Sequence, residues 1–210
     1  MTAGPGIITS VRRLLLSALV LLAAGCGSGD HPSLRAARPP GRSHRGDWSS
    51  QVVSLAICGG AGSVRLVHGS AVLGGPVGEA TVHDISLGQV SYADVTGDHV
   101  DEAFLPLWCT NGGGNADGQM AEGFEVYTTG SVHPRLLGVL RPTQPASNVH
   151  VPYFDESTLV VRGTQVELVE LWYADTDGTC CPSLQVSSVW RYMRGKFEHV
   201  SSTRPQQVAN

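Results

Sequence analysis

Beyond residue 26 the apolar residues of this chain recur with period two, not with helical spacing, and Gly, Pro, Asn and Asp break the runs into short pieces. The runs fall at 63–68, 71–73, 82–92, 103–109, 122–127, 135–140, 158–161, 165–173, 184–192 and 196–200. Gly74-Gly75-Pro76 is expected to end the run at 71–73, and Pro106 places its run at an edge or a bulge. In 122–127 Phe124 and Val126 are expected on one face and the neighbouring glutamates on the other. Arg162-Gly163-Thr164 and Met193-Arg194-Gly195 read as hairpin turns. Strands joined by short turns imply a mainly β fold, an antiparallel meander or sandwich-like single domain. One short helix is expected near 49–57, where Trp48, Val52, Val53 and Ala56 are helix-spaced, and residues 111–115 (Asn-Gly-Gly-Gly-Asn) read as a loop.

The N-terminus has a separate character. Arg12 and Arg13 precede an apolar run from Leu14 to Ala24, which ends in Gly25-Cys26. A charged start, a short apolar core and small residues before a cut is the secretory pattern. The run falls short of the roughly 20 apolar residues that span a bilayer. Leu22-Ala23-Ala24-Gly25-Cys26 resembles the bacterial lipobox. The resemblance implies a signal peptide over 1–25 and a diacylglycerol on Cys26, whose two acyl chains (palmitate-type) suffice for stable anchoring. The mature chain is then expected on the extracytoplasmic face of the cell membrane.

Charge separates tether from domain. Residues 26–47 carry four arginines, two acids and Pro39-Pro40, without apolar periodicity, and read as a flexible tether. Residues 48–210 hold 8 basic and 16 acidic residues, a net of −8. So acidic a domain excludes general nucleic-acid binding, which rests on phosphate neutralisation. Anionic headgroups attract the tether's arginines and repel the domain.

Five cysteines are present. With Cys26 lipidated, Cys58, Cys109, Cys180 and Cys181 remain, which in an exported chain suggests two disulfides. Three pairings exist. Cys180 with Cys181 makes a strained vicinal bridge, so the two pairings that tie Cys58 and Cys109 separately to the adjacent pair are expected. No C-x-x-C spacing supports metal thiolates.

Residues 94–102 form an acidic turn. Asp94, Thr96, Asp98 and Glu102 can offer side-chain oxygens, and Val100 its carbonyl, to a Ca²⁺ that takes 6–8 oxygens. The segment resembles the acidic loops of FG-GAP-type β repeats, with Thr96 for a stronger ligand and His99 in place of the glycine that a positive φ favours. The competing reading is a plain turn, for which Asp and Gly are equally suited. Asp175 and Asp177 form a second, weaker acidic turn.

Catalytic motifs are not found: no G-x-S-x-G, H-E-x-x-H, P-loop or dinucleotide fingerprint occurs. The pairs Asp101-Glu102 and Asp155-Glu156 read as hydrated turn carboxylates. Among the aromatics, Trp108, Tyr127, Trp172, Tyr173, Trp190 and Tyr192 are expected mostly in the core, and Tyr153-Phe154 is the pair best placed to be exposed and to grip a ligand.

Several segments together resemble the LppP/LprE-type lipoproteins, small exported lipoproteins of mycobacteria-like bacteria: residues 92–98, 102–109, 126–128 and 135–138, Cys180-Cys181-Pro182-Ser183, Trp190-Arg191-Tyr192 and Gly195-Lys196-Phe197. They span 88–198. The resemblance implies a lipid-anchored envelope protein without a defined activity, and it supplies no catalytic residues. The expectation is therefore a noncatalytic lipoprotein that binds a small-molecule ligand or an envelope protein. A calcium-dependent adhesion or assembly module and an envelope hydrolase are the alternatives.

Overall fold

In a computed structural model, residues 46–77, 82–112, 118–147 and 149–208 are described, residues 74–77 by their backbone. The signal, Cys26 and nearly all of the tether lie outside them, as do residues 113–115 of the glycine loop. Among the described residues the chain is built from strands: β1 Val52–Ser54, β2 Ser63–Arg65, β3 Ser70–Val77, β4 Val82–Leu87, β5 Ser91–Ala93, β6 Glu102–Thr110, β7 Gln119–Tyr127, β8 Leu136–Leu140, β9 Tyr153–Arg162, β10 Gln165–Trp172, β11 Leu184–Met193, β12 Lys196–Ser202 and β13 Gln206–Gln207. No helix among them is long and apolar enough to cross a membrane.

The mainly β, antiparallel fold is as the periodicity indicates. β1 pairs with β2; β3-β4-β6-β7-β8 form a second sheet with β5 beside β6; β9 to β12 form a third in meander order, with β13 beside β11. One apolar cluster joins Val53, Ile57, Leu66, Ile85, Leu105 and Leu107. A second joins Phe104, Phe124, Val126, Phe154, Val166 and Leu168. Odd positions of β6 enter the first cluster and Phe104 enters the second, so the β6-containing sheet is covered on both faces. That is why its central strands are nearly continuous in apolar residues.

Several local expectations are corrected. The helix near 49–57 is only a 3-10 turn, Trp48–Ser50, capped by the Asp47 carboxylate on the Ser49 amide, followed by β1. Val52 and Val53 are β-branched and pack better on a pleated surface than in a helix. Gly74-Gly75-Pro76 lies within β3, across a register shift against β4. The run 82–92 is two strands, β4 and β5. Pro106 sits in an interior strand, yet its carbonyl accepts from Gly88 in the gap between β4 and β5. Its missing N–H points to the same gap, so no β6–β7 ladder bond is lost.

The β11–β12 turn places both Arg194 (φ 52°) and Gly195 (φ 80°) in the left-handed region, as a two-residue type I′ turn requires. Gly123 has a different constraint. A Cβ there would overlap the Leu140 carbonyl oxygen of neighbouring β8 and come within 2.8 Å of Ile57 Cδ1.

The disulfide pairing is also corrected. Cys58 bonds Cys109, with Cα atoms 5.6 Å apart, and Cys180 bonds Cys181. The first pair is fixed by packing: Cys109 faces the cluster that holds Ile57 and Cys58, while Cys180 and Cys181 lie in an exposed loop after β10.

Candidate functional site

Among the described residues four glutamates are buried: Glu102, Glu122, Glu125 and Glu170. Carboxylates are almost never buried without partners. All four accept from backbone amides. Glu102 Oε2 accepts from the Val95 and Thr96 amides at 2.9 and 3.2 Å. Glu125 Oε2 accepts from the Tyr127 hydroxyl at 2.6 Å and the Ser54 amide at 3.1 Å. Glu170 Oε2 accepts from the Thr143 amide and hydroxyl and from the Trp172 indole N–H.

Glu122 differs because it borders open space. It is 7% exposed and lines a cavity of about 190 Å³ with Trp108, Gln119, Tyr153, Tyr173 and Cys180. It also borders a second cavity of about 270 Å³, lined among others by Arg141, Pro142, Gln144, Val151 and Pro152. Its position follows from strand parity: Glu122, Phe124 and Val126 share the face of β7 that meets β9. Glu122 Oε1 accepts from the Phe154 amide at 3.2 Å and Oε2 from Gln119 Nε2 at 3.0 Å. Burial is the largest influence on this carboxyl and pushes it up to about 8, against the hydrogen bond from Phe154 and with help from the nearby Glu156 charge. At neutral pH Glu122 therefore holds its proton.

The aromatic wall is held from behind. Tyr173 stacks on the His150 ring with centroids 4.6 Å apart, and its hydroxyl donates to the Thr179 carbonyl at 3.1 Å. Gln144 pairs with the Tyr173 backbone in both directions. Asp177 closes the loop by accepting from the Ala174 amide and from the Ser183 amide and hydroxyl, which hold its carboxyl below the usual range. These bonds set Cys180 at the cavity rim. Burial, then the Tyr153 and Glu122 charges, push the Tyr173 phenol up to about 12, so it stays neutral. Trp108, 41% exposed, is the accessible aromatic of the site. It also borders a wider depression of about 560 Å³ over β3 and β4.

The structure places the remaining sequence candidates elsewhere. Asp94 accepts from the Gly97 and His99 amides, Asp98 from the Val100 amide, and Glu102 from Val95 and Thr96. Asp94, Thr96, Asp98, Val100 and Glu102 thus hold one another's backbone as a turn, with His99 at φ 67°. No group of three or more His, Cys, Asp or Glu side chains placed to hold a metal ion occurs among the described residues. Asp155 caps Ser157, and Glu156 accepts from the Gln89 amide. His199 Nε2 lies 2.7 Å from Ser202 Oγ, but both are exposed on β12 and line none of these cavities.

Tyr153-Phe154 divides. Phe154 is core, its ring tilted against that of Phe124, so its expected exposure is corrected, while Tyr153 is half-buried and lines the cavity. Glu122 and Tyr173 are the functional candidates that sequence reasoning missed. For Glu122 the signal was present, because period two puts it on the Phe124 face and not on the opposite one. No protein-family model matches the chain, and no curated protein or solved structure is significantly similar to it.

Proposed function

We propose that this chain is a noncatalytic lipoprotein of the cell envelope, anchored through Cys26 and binding a small ligand at the Trp108–Glu122–Tyr153 cavity. The supporting observation is the cavity's composition: a buried carboxyl and a carboxamide beside three aromatic side chains. Sites for small molecules combine apolar walls with a few convergent polar groups in this way. The sequence supports the anchor through the apolar run ending at Cys26, and the arginine-bearing segment that follows supplies the tether.

Ligand-observed NMR on the full chain in neutral detergent tests the binding part. A panel of sugars, amino acids, amines and carboxylates is expected to contain at least one class that binds and is lost in Trp108→Ala. Binding by no class, or binding indifferent to Trp108, contradicts the reading. Membrane fractionation tests the anchor: the wild type is expected in the detergent-extractable fraction and Cys26→Ala released from it.

A further inference from the structure

We infer that the cavity bordered by Trp108, Glu122, Tyr153 and Tyr173 takes an organic ammonium group. The inference rests on the reading of this cavity as a ligand site and names the class of ligand.

Three aromatic side chains, one carboxyl, one carboxamide and a disulfide sulfur form the wall, and no Lys, Arg or His is among them. A cation is attracted to aromatic faces by the ring quadrupole, and more strongly where water is excluded. An anion meets the opposite: the same faces repel it, and the domain around them carries a net charge of −8, from 8 basic and 16 acidic residues. A neutral polyol would need several free hydrogen-bonding groups. Here both Glu122 oxygens already accept, one from Phe154 and one from Gln119, and the Tyr173 hydroxyl is engaged by Thr179.

The size suits a head group. At roughly 30 Å³ per water, about 190 Å³ holds some half-dozen waters, which is room for a substituted ammonium. The wider depression that shares Trp108 and Gln119 can receive the rest of a longer molecule.

Binding has a proton balance. The ammonium enters as a cation, Glu122 ionises to meet it, and its proton leaves to bulk water. The groups that face Glu122 are Trp108 from β6, Gln119 from β7, Tyr153 and Glu156 from β9, and Tyr173 just after β10. Arg141 lines the second cavity that Glu122 borders, and its guanidinium donates to the Ala56 carbonyl. Affinity for the ammonium therefore rises with pH as Glu122 becomes easier to ionise.

The test compares choline with its neutral carbon isostere, 3,3-dimethylbutan-1-ol, and with glucose and acetate. Trp fluorescence and calorimetry are run on the full chain in neutral detergent from pH 6 to 9. Choline is expected to bind about tenfold or more tighter than the isostere, more tightly as pH rises, with proton release. The near-isosteric Glu122→Gln is expected to weaken choline and flatten its pH dependence, while circular dichroism shows it folded. Equal binding of the isostere, or Trp108-dependent binding of glucose or acetate alone, overturns the ammonium and leaves the ligand site. No binding by any probe overturns the ammonium and counts against the site.

Discussion

Trp108 and Glu122 stand directly opposite each other in the β6–β7 ladder, so that an accessible indole and a buried carboxyl share one face of the sheet. The pairing is set by strand register and not by a mobile loop. Directly opposite residues in an antiparallel pair keep their Cβ atoms about 5 Å apart. The carboxyl is thereby fixed at the base of a cavity whose upper wall comes from β9 and the disulfide loop.

The first consequence is a pH-dependent stability. Glu122 has an ordinary value of 4.5 and is raised to about 8 in the folded chain. Between those values the folded state holds a proton that the unfolded state has lost, so stability falls as pH rises through the window and levels off above it. Glu122→Gln cannot ionise. Urea unfolding of the two proteins is expected to show the variant gaining on the wild type from pH 5 to pH 8, and a constant difference across that range contradicts the burial argument.

The two disulfides differ in what they close. Cys58–Cys109 spans 51 residues, and Cys180–Cys181 spans one. Chain entropy assigns about 4 kcal/mol to a loop of the first size and almost nothing to the second. Cys58→Ala with Cys109→Ala is expected to cost several kcal/mol in chemical denaturation, and Cys180→Ser with Cys181→Ser about 1 kcal/mol or less. Equal losses, or a non-reducing peptide map joining Cys58 to Cys180 or Cys181, exclude these pairings.

Gly123→Ala probes the close approach of β7 to β8. The added methyl meets the Leu140 carbonyl oxygen, which is backbone and cannot rotate aside. Overpacking of this kind costs about 1–3 kcal/mol. Thermal unfolding reads the loss, and a melting temperature equal to wild type means that the two strands separate more easily than the packing implies.

The acidic turn is expected to behave as a turn. Its carboxylates already accept from backbone amides of the same loop. Unfolding in EDTA and then in millimolar calcium is therefore expected to give the same midpoint. Ligand at about 100 times its Kd adds about 2.7 kcal/mol, so a rise of several degrees abolished by Asp98→Ala makes 94–102 a calcium loop after all.

Strand positions were legible because apolar alternation and turn residues act locally. The β9–β10 and β11–β12 hairpins follow from Gly163 and from Arg194-Gly195. Burial on both faces of β7 was not legible. It depends on β1, β2 and β9, which are distant in sequence; period two groups Glu122 with Phe124, but nothing local shows that the opposite face, with Glu125, is covered as well. Cysteine pairing failed for the same reason: spacing along the chain says nothing of which strand Cys109 lies on relative to Cys58. Tyr173 read as another core aromatic, since its partners Gln144, His150 and Thr179 lie in irregular segments without periodicity.

The central claim is that Glu122 is a neutral acid at the base of a cation-binding cavity. Carbon-13 NMR of the glutamate side-chain carboxyls, with Glu122 assigned by its disappearance in Glu122→Gln, tests it most directly. The account predicts a midpoint near 8 for the free chain, moving downward when choline is saturating. A midpoint near the ordinary 4.5, unmoved by choline, contradicts it.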